Sequence, residues 1–221
     1  MAIIGAAAPE AALVATAGAS LEDGVVPPFW ESERQRLTLD GALSWSPVPT
    51  LRVSAHVAGW RRDAYPDTVV AGPGDITLGV EADAWRGLGG VWLVKQPNAE
   101  DERELGTDET DVHLMARWQH PRAAVLAGAS LRGDPLRYSA QDVAPVGWLV
   151  GRHPVGALTA VGRVGGTLAS PHNPARLSAA LGGRVGAVGA ELTVGLTEAA
   201  ADWGARLWVS GRRPARTPAP G

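Results

Sequence analysis

The feature that most constrains this chain is a series of segments, many close to ten residues long, in which apolar and polar side chains alternate. Residues 75–84 (DITLGVEADA) show the alternation most clearly. A period of two places successive side chains on opposite faces of a β-strand. The chain also holds 28 Gly and 17 Pro, which argues against a long helical bundle. The sequence therefore predicts an all-β fold.

Eleven segments are predicted to be strands. They cover residues 36–46, 51–60, 75–84, 91–95, 110–119, 123–131, 146–151, 158–168, 177–183, 188–197 and 205–210. Strands of globular proteins usually have about five or six residues, whereas a tilted strand needs about nine to eleven residues to cross a bilayer. The longer segments therefore favour strands that span a membrane.

The connections between these segments alternate in length. Short ones lie at residues 46–50, 86–90, 119–123, 151–156 and 183–187, and long ones at 61–73, 97–109 and 132–145. The connections at 167–175 and 198–204 continue the pattern with less contrast. Outer-membrane barrels combine short periplasmic turns with longer external loops and an even number of strands. An even count requires one more strand before Arg36, and residues 11–21 are the candidate.

The predicted fold is a closed antiparallel up-and-down transmembrane β-barrel of about 12 strands, with eleven clear and one inferred at the N-terminus. Residues 1–33 are interpreted as a weak first strand or a signal remnant plus a loop. The barrel is expected over residues 34–210. Residues 211–221, rich in Pro and Arg, are expected to be a disordered tail.

Composition excludes several classes of function. The net charge is -3 and no basic stripe is interleaved with aromatic residues, which argues against nucleic acid as a partner. No apolar run reaches the roughly 18 residues that a spanning helix needs. Because the chain has no Cys, it has no disulfide, thiolate metal site or cysteine nucleophile.

Tryptophan is strongly over-represented among the aromatic residues, with 9 Trp against 2 Tyr and 1 Phe. Five of them are predicted to form an interfacial girdle on the lipid-facing side: Trp45, Trp85, Trp92, Trp118 and Trp148. Trp60 and Trp208 fall on the opposite parity. The alternative is that the tryptophans are core residues of a soluble sheet.

The other parity carries Gly, Ser, Thr and charges of both signs, which suits a hydrated lumen. The candidate lumen or solute-pathway residues are Arg52, His56, Asp75, Glu81, Asp83, Lys95, Asp111, His113, Arg117, Arg163, Arg184, Glu191 and Arg206, and the same parity holds Arg36, Asp40 and Arg132. Charges in a narrow pore set ion preference and orient polar groups of a solute. The alternative is that they pair across strands only to stabilise the interior.

No catalytic or metal-binding pattern is present. His56 and His113 lie outside any motif such as His-Glu-x-x-His, and the sequence has no Gly-x-Ser-x-Gly elbow. Residues 100–111 (EDERELGTDETD) have carboxylates that could collect calcium but lack an EF-hand spacing, so a solvated loop is the favoured interpretation. We expect no enzyme activity, no cofactor and no metal.

Two stretches resemble a known family. Residues 72–85 (GPGDITLGVEADAW) and 91–111 (VWLVKQPNAEDERELGTDETD) resemble outer-membrane barrels named for the phenol meta pathway and regarded as transporters of hydrophobic solutes. The matching residues are Gly72, Gly74, Asp75, Lys95, Pro97, Leu105, Gly106, Thr107 and Asp111. The sequence departs from the family pattern at Gln96, Asn98, Ala99 and Asp108. The resemblance implies an outer-membrane location and uptake of small apolar compounds.

The expected function is a passive channel or transporter for small, apolar or aromatic, solutes in the outer membrane of a Gram-negative cell. Its expected partners are the lipid of that membrane and a small-molecule solute. Two alternatives stay open: a soluble β-barrel or sandwich that binds a ligand, and a structural surface barrel without transport.

Overall fold

A computed structural model describes residues 12–25, 34–96, 110–133, 141–171 and 174–214. Thirteen strands run in chain order: β1 (Ala12–Val25), β2 (Arg34–Val48), β3 (Leu51–Ala64), β4 (Val69–Gly72), β5 (Ile76–Trp85), β6 (Leu88–Gln96), β7 (Asp111–His120), β8 (Ala123–Gly133), β9 (Gln141–Val155), β10 (Leu158–Thr167), β11 (Arg176–Val185), β12 (Val188–Gly195) and β13 (Trp203–Pro214). The described residues include no helix long and apolar enough to span a membrane.

Twelve of the strands form a closed antiparallel ring, as the sequence predicts. Consecutive strands pair around the sheet, and β1 pairs with β13 as well as β2, which closes it. The short β4 pairs only with the end of β3. The inferred first strand is therefore present, and the ring extends beyond the predicted limits of 34 and 210, from Ala12 to Pro214. The rest of the predicted signal remnant and tail lies outside the described residues.

The two ends of the barrel differ in their connections. Five two-residue turns, at 49–50, 86–87, 121–122, 156–157 and 186–187, lie at one end, here called the tight-turn end. In the turn after β5, Arg86 and Gly87 both have positive φ angles, 47° and 81°, as a type I′ hairpin turn requires. The opposite end, with the other connections, is called the long-connection end.

The pairing register fixes the shape of the ring. Following hydrogen-bonded partners once around it returns to β1 about 14 residues further along. With strands about 4.8 Å apart and a rise of about 3.3 Å per residue, this offset gives a strand tilt of roughly 39° and a backbone radius of roughly 12 Å. The interior of an eight-stranded barrel is just wide enough for its own side chains to fill. A ring of this size leaves more interior space than that.

The outer face of the barrel is apolar. Leu114, Leu181, Leu192 and Leu207 are 63 to 71% exposed, and most other large exposed side chains on the strands are Leu, Val or Trp. Charged residues such as Glu81, Arg117 and Asp63 are buried instead. Water-soluble proteins rarely expose a continuous apolar surface of this kind, whereas a lipid-facing barrel requires it.

One part of the interior differs from the expected polar lumen. Val91, Met115, Leu126 and Val146 form a buried apolar cluster, and Leu93 and Trp148 pack against it. These six residues, on β6 to β9, are here called the inner apolar wall. Most Leu and Val side chains of the other strands still point outward, so the wall occupies one side of the lumen.

The prediction that Trp148 belongs to the lipid-facing girdle is wrong, because this side chain faces the lumen. It packs against the interior cluster, and the guanidinium of Arg163 lies 5.4 Å from its ring centroid. Its strand contains buried Val146 and Val150 at the same parity. Trp208 also faces inward, since its ring occupies the space where a Cβ on Gly189 would lie.

The other four residues of the predicted girdle point outward, and their position at a lipid interface stays a prediction. Trp45, Trp85, Trp92 and Trp118 are 42 to 62% exposed. Trp60 also points outward. Because Gly59 is unpaired, the register of β3 shifts there and Trp60 pairs with the outward Leu39. Trp203, 41% exposed, is a further outward tryptophan that the sequence analysis missed. Trp30 lies outside the described residues.

Outward tryptophans occur towards both ends of the barrel. Trp45, Trp85 and Trp118 lie towards the tight-turn end, and Trp60 and Trp203 lie towards the long-connection end, roughly 20 Å further along the axis by the register and tilt. Trp92 lies between the two groups. Aromatic girdles on either side of an apolar band are typical of transmembrane barrels.

Candidate functional site: the lumen

The candidate site is the barrel interior, which every second strand residue faces. Charged and polar side chains there fall into three layers along the axis: one near the long-connection end, one in the middle and one near the tight-turn end. Twelve of the thirteen predicted lumen residues occupy inward positions in the observed register. The other, Asp75, directly precedes β5 and lies 3.9 Å from the inward Lys95.

The long-connection layer is built around Asp63. This side chain is completely buried, and its carboxylate accepts two hydrogen bonds from Arg36, from Nε at 2.9 Å and Nη2 at 3.0 Å. Nη1 of Arg34 lies 3.0 Å from the same carboxylate and also donates to the hydroxyl of Tyr65. Strand β2 thus presents two arginines to one carboxylate on β3.

A second group in this layer joins β5, β6 and β7. Nζ of Lys95 lies 2.6 Å from the carboxylate of Asp111 and 3.9 Å from that of Asp75. Arg132 and Arg176 enter the layer from β8 and β11. Each has one buried guanidinium nitrogen without a hydrogen-bond partner among the described residues.

The middle layer has a polar side opposite the inner apolar wall. Oδ2 of Asp40 lies 3.2 Å from Nε2 of His56 and 2.5 Å from Nη2 of Arg206. Arg163 donates two hydrogen bonds to Glu191, at 3.0 Å and 2.5 Å, in the bidentate geometry that favours arginine with carboxylates. This layer therefore offers apolar and charged surfaces at the same height.

The tight-turn layer is centred on Arg117. Arg117, only 4% exposed, donates hydrogen bonds to both Glu81 and Asp83. Arg52 lies 3.7 Å from Glu81 across strands β3 and β5. These four residues line a small polar cavity together with Gln119. The layer links three strands by charge.

Two further arginines enter this layer from the other side of the ring. Arg152 on β9 occupies an inward position at this height, two residues beyond the inward Val150. Nε of Arg184 donates a hydrogen bond of 2.6 Å to the carbonyl of Gly186, so this side chain folds onto its own turn.

The structure brings most predicted lumen residues into contact with a partner. The exceptions in the described contacts are Arg184, which bonds its own turn, and His113, which lies beside Leu93 and Ser130 across its neighbouring strands. Whether these residues line a solute pathway stays a prediction.

Several charged lumen residues escaped the sequence analysis, namely Arg34, Arg61, Asp63, Asp142, Arg152 and Arg176. Asp63 and Arg61 lie beyond residue 60, where the predicted strand ends, and the bulge at Gly59 reverses the parity of the residues after it. The others flank the predicted strands by a few residues. A transmembrane barrel needs long strands, and extending the predicted strands to that length would have included these residues.

Within the described ranges, no three His, Asp or Glu side chains are grouped so that they could hold a metal ion. The acidic stretch at 100–111 falls largely outside those ranges, so the calcium prediction for it stays untested. The contacts described in the lumen are ion pairs, hydrogen bonds and apolar packing.

Two solved structures share this architecture. The COG4313 outer membrane channel from Pseudomonas putida F1 is similar with a TM-score of 0.60 and 14% identity, over 94% of this chain and 97% of that one. The translocator domain of the autotransporter NalP from Neisseria meningitidis is similar with a TM-score of 0.58 and 13% identity, over 91% of this chain and 88% of that one. No protein-family profile and no curated protein matches the sequence. At these identities the likeness concerns the fold.

Proposed function

We propose that this barrel is an outer-membrane channel of a Gram-negative cell, through which small solutes with apolar or aromatic bodies diffuse passively. The observation that carries the proposal is the combination of an apolar exterior with a lumen that has both charged and apolar walls. No catalytic step is involved. The similarity to an outer membrane channel and a translocator barrel is consistent with this role.

The exterior supports the membrane part of the proposal. In water, the leucines on β11, β12 and β13 would leave a large apolar surface exposed, at a cost of about 25 cal/mol per Å². Lipid removes that cost, and the closed ring leaves no unpaired strand edge in the bilayer. The alternative of a soluble ligand-binding barrel would need the reverse arrangement, with the large apolar side chains inside.

The inner apolar wall supports the solute class. Leu93 and Trp148 are only partly buried, and the buried cluster behind them holds them in place. Arg163 lies over the ring of Trp148, so an aromatic solute on this wall would meet a cation beside an apolar surface. A barrel with a purely structural role has no need for this one-sided apolar surface.

The channel is tested by ion current. The purified protein inserted in a planar lipid bilayer should conduct, and a neutral aromatic compound, benzyl alcohol, should reduce the current by occupying the inner apolar wall. The variant Trp148→Ala should conduct but be blocked less. Trp92→Ala removes an outward tryptophan on β6 and is the matched control, with wild-type block expected.

The outcomes separate the two parts of the proposal. An inserted, folded barrel that passes no current would overturn the channel and favour the structural surface barrel. Current without block, or block that Trp148→Ala leaves unchanged, would overturn the solute class alone. A protein that stays in solution without detergent would overturn the membrane location.

A further inference from the structure

We infer that the outside of the barrel carries, at its tight-turn end, a binding site for the headgroup of an anionic phospholipid. The site is formed by the β5–β6 and β7–β8 hairpins, which are neighbours in the ring. It consists of six residues, here called the basic turn patch: Trp85, Arg86, Leu88, Trp118, His120 and Arg122. The lipid belongs to the leaflet around this end, which is the periplasmic leaflet in the predicted orientation.

A row of large apolar side chains forms the part of the patch nearer the middle of the barrel. Trp85 pairs with Leu88, and Leu88 pairs with Trp118, so the three residues lie side by side across β5, β6 and β7. All three side chains are exposed on the outer face. Tryptophan rings favour the boundary between acyl chains and headgroups, so this row sets the depth at which the patch meets the bilayer.

The basic side chains lie next to this row, at the turns. The guanidinium carbon of Arg86 is 4.4 Å from the ring centroid of Trp85, within the range of a cation–π interaction. The ring of His120 stacks on that of Trp118, with centroids 6.1 Å apart and an interplanar angle of 13°. Arg122 is exposed in the turn that follows His120. Cations above an apolar row match the order of phosphate and acyl chains in a phospholipid.

The patch offers hydrogen-bond donors that suit a phosphate. The backbone N–H of Arg122 donates to Nδ1 of His120 at 3.3 Å, so the neutral imidazole carries its proton on Nε2 and can donate from there. Within the described part of the chain, neither Arg86 nor Arg122 forms an ion pair with a carboxylate. Guanidinium groups bind phosphate oxygens with two parallel hydrogen bonds, which favours a lipid phosphate as the ligand.

The outer face of this sector carries no competing carboxylate. Among the described residues of β5 to β8, the outward positions nearest the turns hold only Ala, Gly, Leu, Val, Trp and His. Asp83, the nearest acidic residue in the sequence, faces the lumen and pairs with Arg117. The tight turns at 49–50, 156–157 and 186–187 hold no basic residue, so the two basic turns are adjacent to each other. An anionic headgroup is therefore attracted to this sector in particular.

The two hairpins are fixed to one another before any lipid binds. The backbone N–H of Gln119 donates to the carbonyl of Gly87 at 2.8 Å, which ties the β5–β6 turn to β7. A Cβ at Gly87 would clash with the carbonyl oxygen of Gln119, and its φ of 81° also favours glycine. Because the backbone is already in place, binding costs less conformational entropy than it would on free loops.

The test compares the affinity of this site for two lipids in vesicles. Because the chain has no Cys, Ala116→Cys carries a single fluorophore on the outer face of β7, two residues from Trp118. Quenching is measured with phosphatidylglycerol and with phosphatidylcholine that carry the same nitroxide on an acyl chain. The apparent affinity for phosphatidylglycerol should be roughly five times higher, the factor expected for one cation beside an anionic lipid. Both leaflets contain the quencher, so the direction of insertion does not affect the result.

The double variant Arg86→Gln with Arg122→Gln should reduce the affinity ratio to about one, because it removes both guanidinium groups of the patch. The matched control is Arg212→Gln with Arg213→Gln, which removes two exposed arginines at the same end of the barrel but on β13, across the ring. This control changes the net charge equally and should keep the original ratio. Folding of each variant is verified first by the heat-dependent shift in gel migration that closed barrels show.

Three results would overturn the inference. The first is a ratio near one in the labelled protein with an intact patch, which needs no further variant. The second is a ratio that the patch variant leaves unchanged, and the two single variants serve here if the double variant does not assemble. The third is a control that lowers the ratio as much as the patch variant does, since general surface charge would then explain it. None of them affects the proposed channel, which ion current tests separately.

Discussion

At the scale of single residues, two interior carboxylates each contact two basic side chains. Asp63 contacts Arg34 and Arg36, and Asp40 contacts His56 and Arg206. Arg117 shows the reverse arrangement, with one guanidinium between two carboxylates. Buried charges are costly unless they are paired, so removing the shared member of such a group exposes the others to the full cost of burial.

Asp63 gives the clearest test at this scale. The variant Asp63→Ala leaves two buried arginines without their carboxylate and should lower the free energy of unfolding by about 3 to 5 kcal/mol. The measurement is urea-induced unfolding of the protein in phospholipid vesicles. Asp67→Ala removes an exposed carboxylate from the connection after β3 and should change the value little. Equal stability of the two variants would contradict the role given to Asp63.

The sequence predicted residue positions well wherever strict alternation holds. The pairs Lys95 with Asp111 and Arg163 with Glu191 were assigned to the lumen by parity alone. Trp148 was misplaced because tryptophan is amphipathic and suits either face, and its own strand carries Val146 and Val150 inward. Parity identifies which residues share a face, but side-chain chemistry alone did not identify the face of β9.

At the scale of strands, the register of β3 is set by one unpaired residue. Leu39 pairs with Trp60 and Asp40 pairs with Ala58, so Gly59 lies between them as a bulge. Before Gly59, the even-numbered residues of β3 face the lumen. After it, the odd-numbered Arg61 and Asp63 do. The bulge thereby places Trp60 outward and Asp63 inward. A bulge leaves little trace in an alternating pattern, which is why the sequence did not predict it.

Deleting Gly59 tests this explanation. Gly59 is the extra residue of the bulge, so the deletion should place Ala58 and Trp60 in regular register with Asp40 and Leu39, keep Asp63 opposite Arg36 and still allow the barrel to form. Inserting one Ala after Trp60 should instead reverse the parity of the residues that follow, turn Asp63 towards lipid and leave little or no folded barrel. Gly59→Ala keeps the bulge, and an added Cβ would meet its nearest atom, the carbonyl oxygen of Leu39, at 3.7 Å, an ordinary contact. The yield of heat-modifiable barrel from refolding measures all three variants. Normal refolding after the insertion, or loss of refolding after the deletion, would refute the parity argument.

At the scale of the whole molecule, closure depends on the pairing of the first and last strands. β1 pairs with β13 over a register that runs from Ala12 with Pro214 to Asp23 with Trp203. The sequence predicted this strand only indirectly, from the need for an even count, because its alternation is weak and many of its residues are Ala or Gly. Global constraints on a barrel can therefore identify an element that local propensity leaves ambiguous.

Closure predicts a simple truncation result. Removing residues up to 25 leaves β2 and β13 as unpaired edges, which lipid does not tolerate because their backbone groups find no hydrogen-bond partners there. We expect this truncated chain to lose the heat-modifiable band on a gel. A truncation at residue 11, which leaves β1 intact, should retain it. A folded barrel from the shorter chain would show that β1 is dispensable.

The whole barrel depends on one arrangement, in which the apolar parity faces lipid while the polar parity faces enclosed water. Adjacent cross-strand pairs on β11 and β12 test it directly: Leu181 with Leu192 point outward at 71% and 65% exposure, and Ala180 with Thr193 point inward. Because the chain has no Cys, a single Cys at each position carries a fluorophore without background. In phospholipid vesicles, labels at 181 and 192 should be quenched by nitroxides in the acyl chains, and labels at 180 and 193 by aqueous iodide. Lipid quenching at 180 and 193, or equal iodide quenching at all four, would contradict the account.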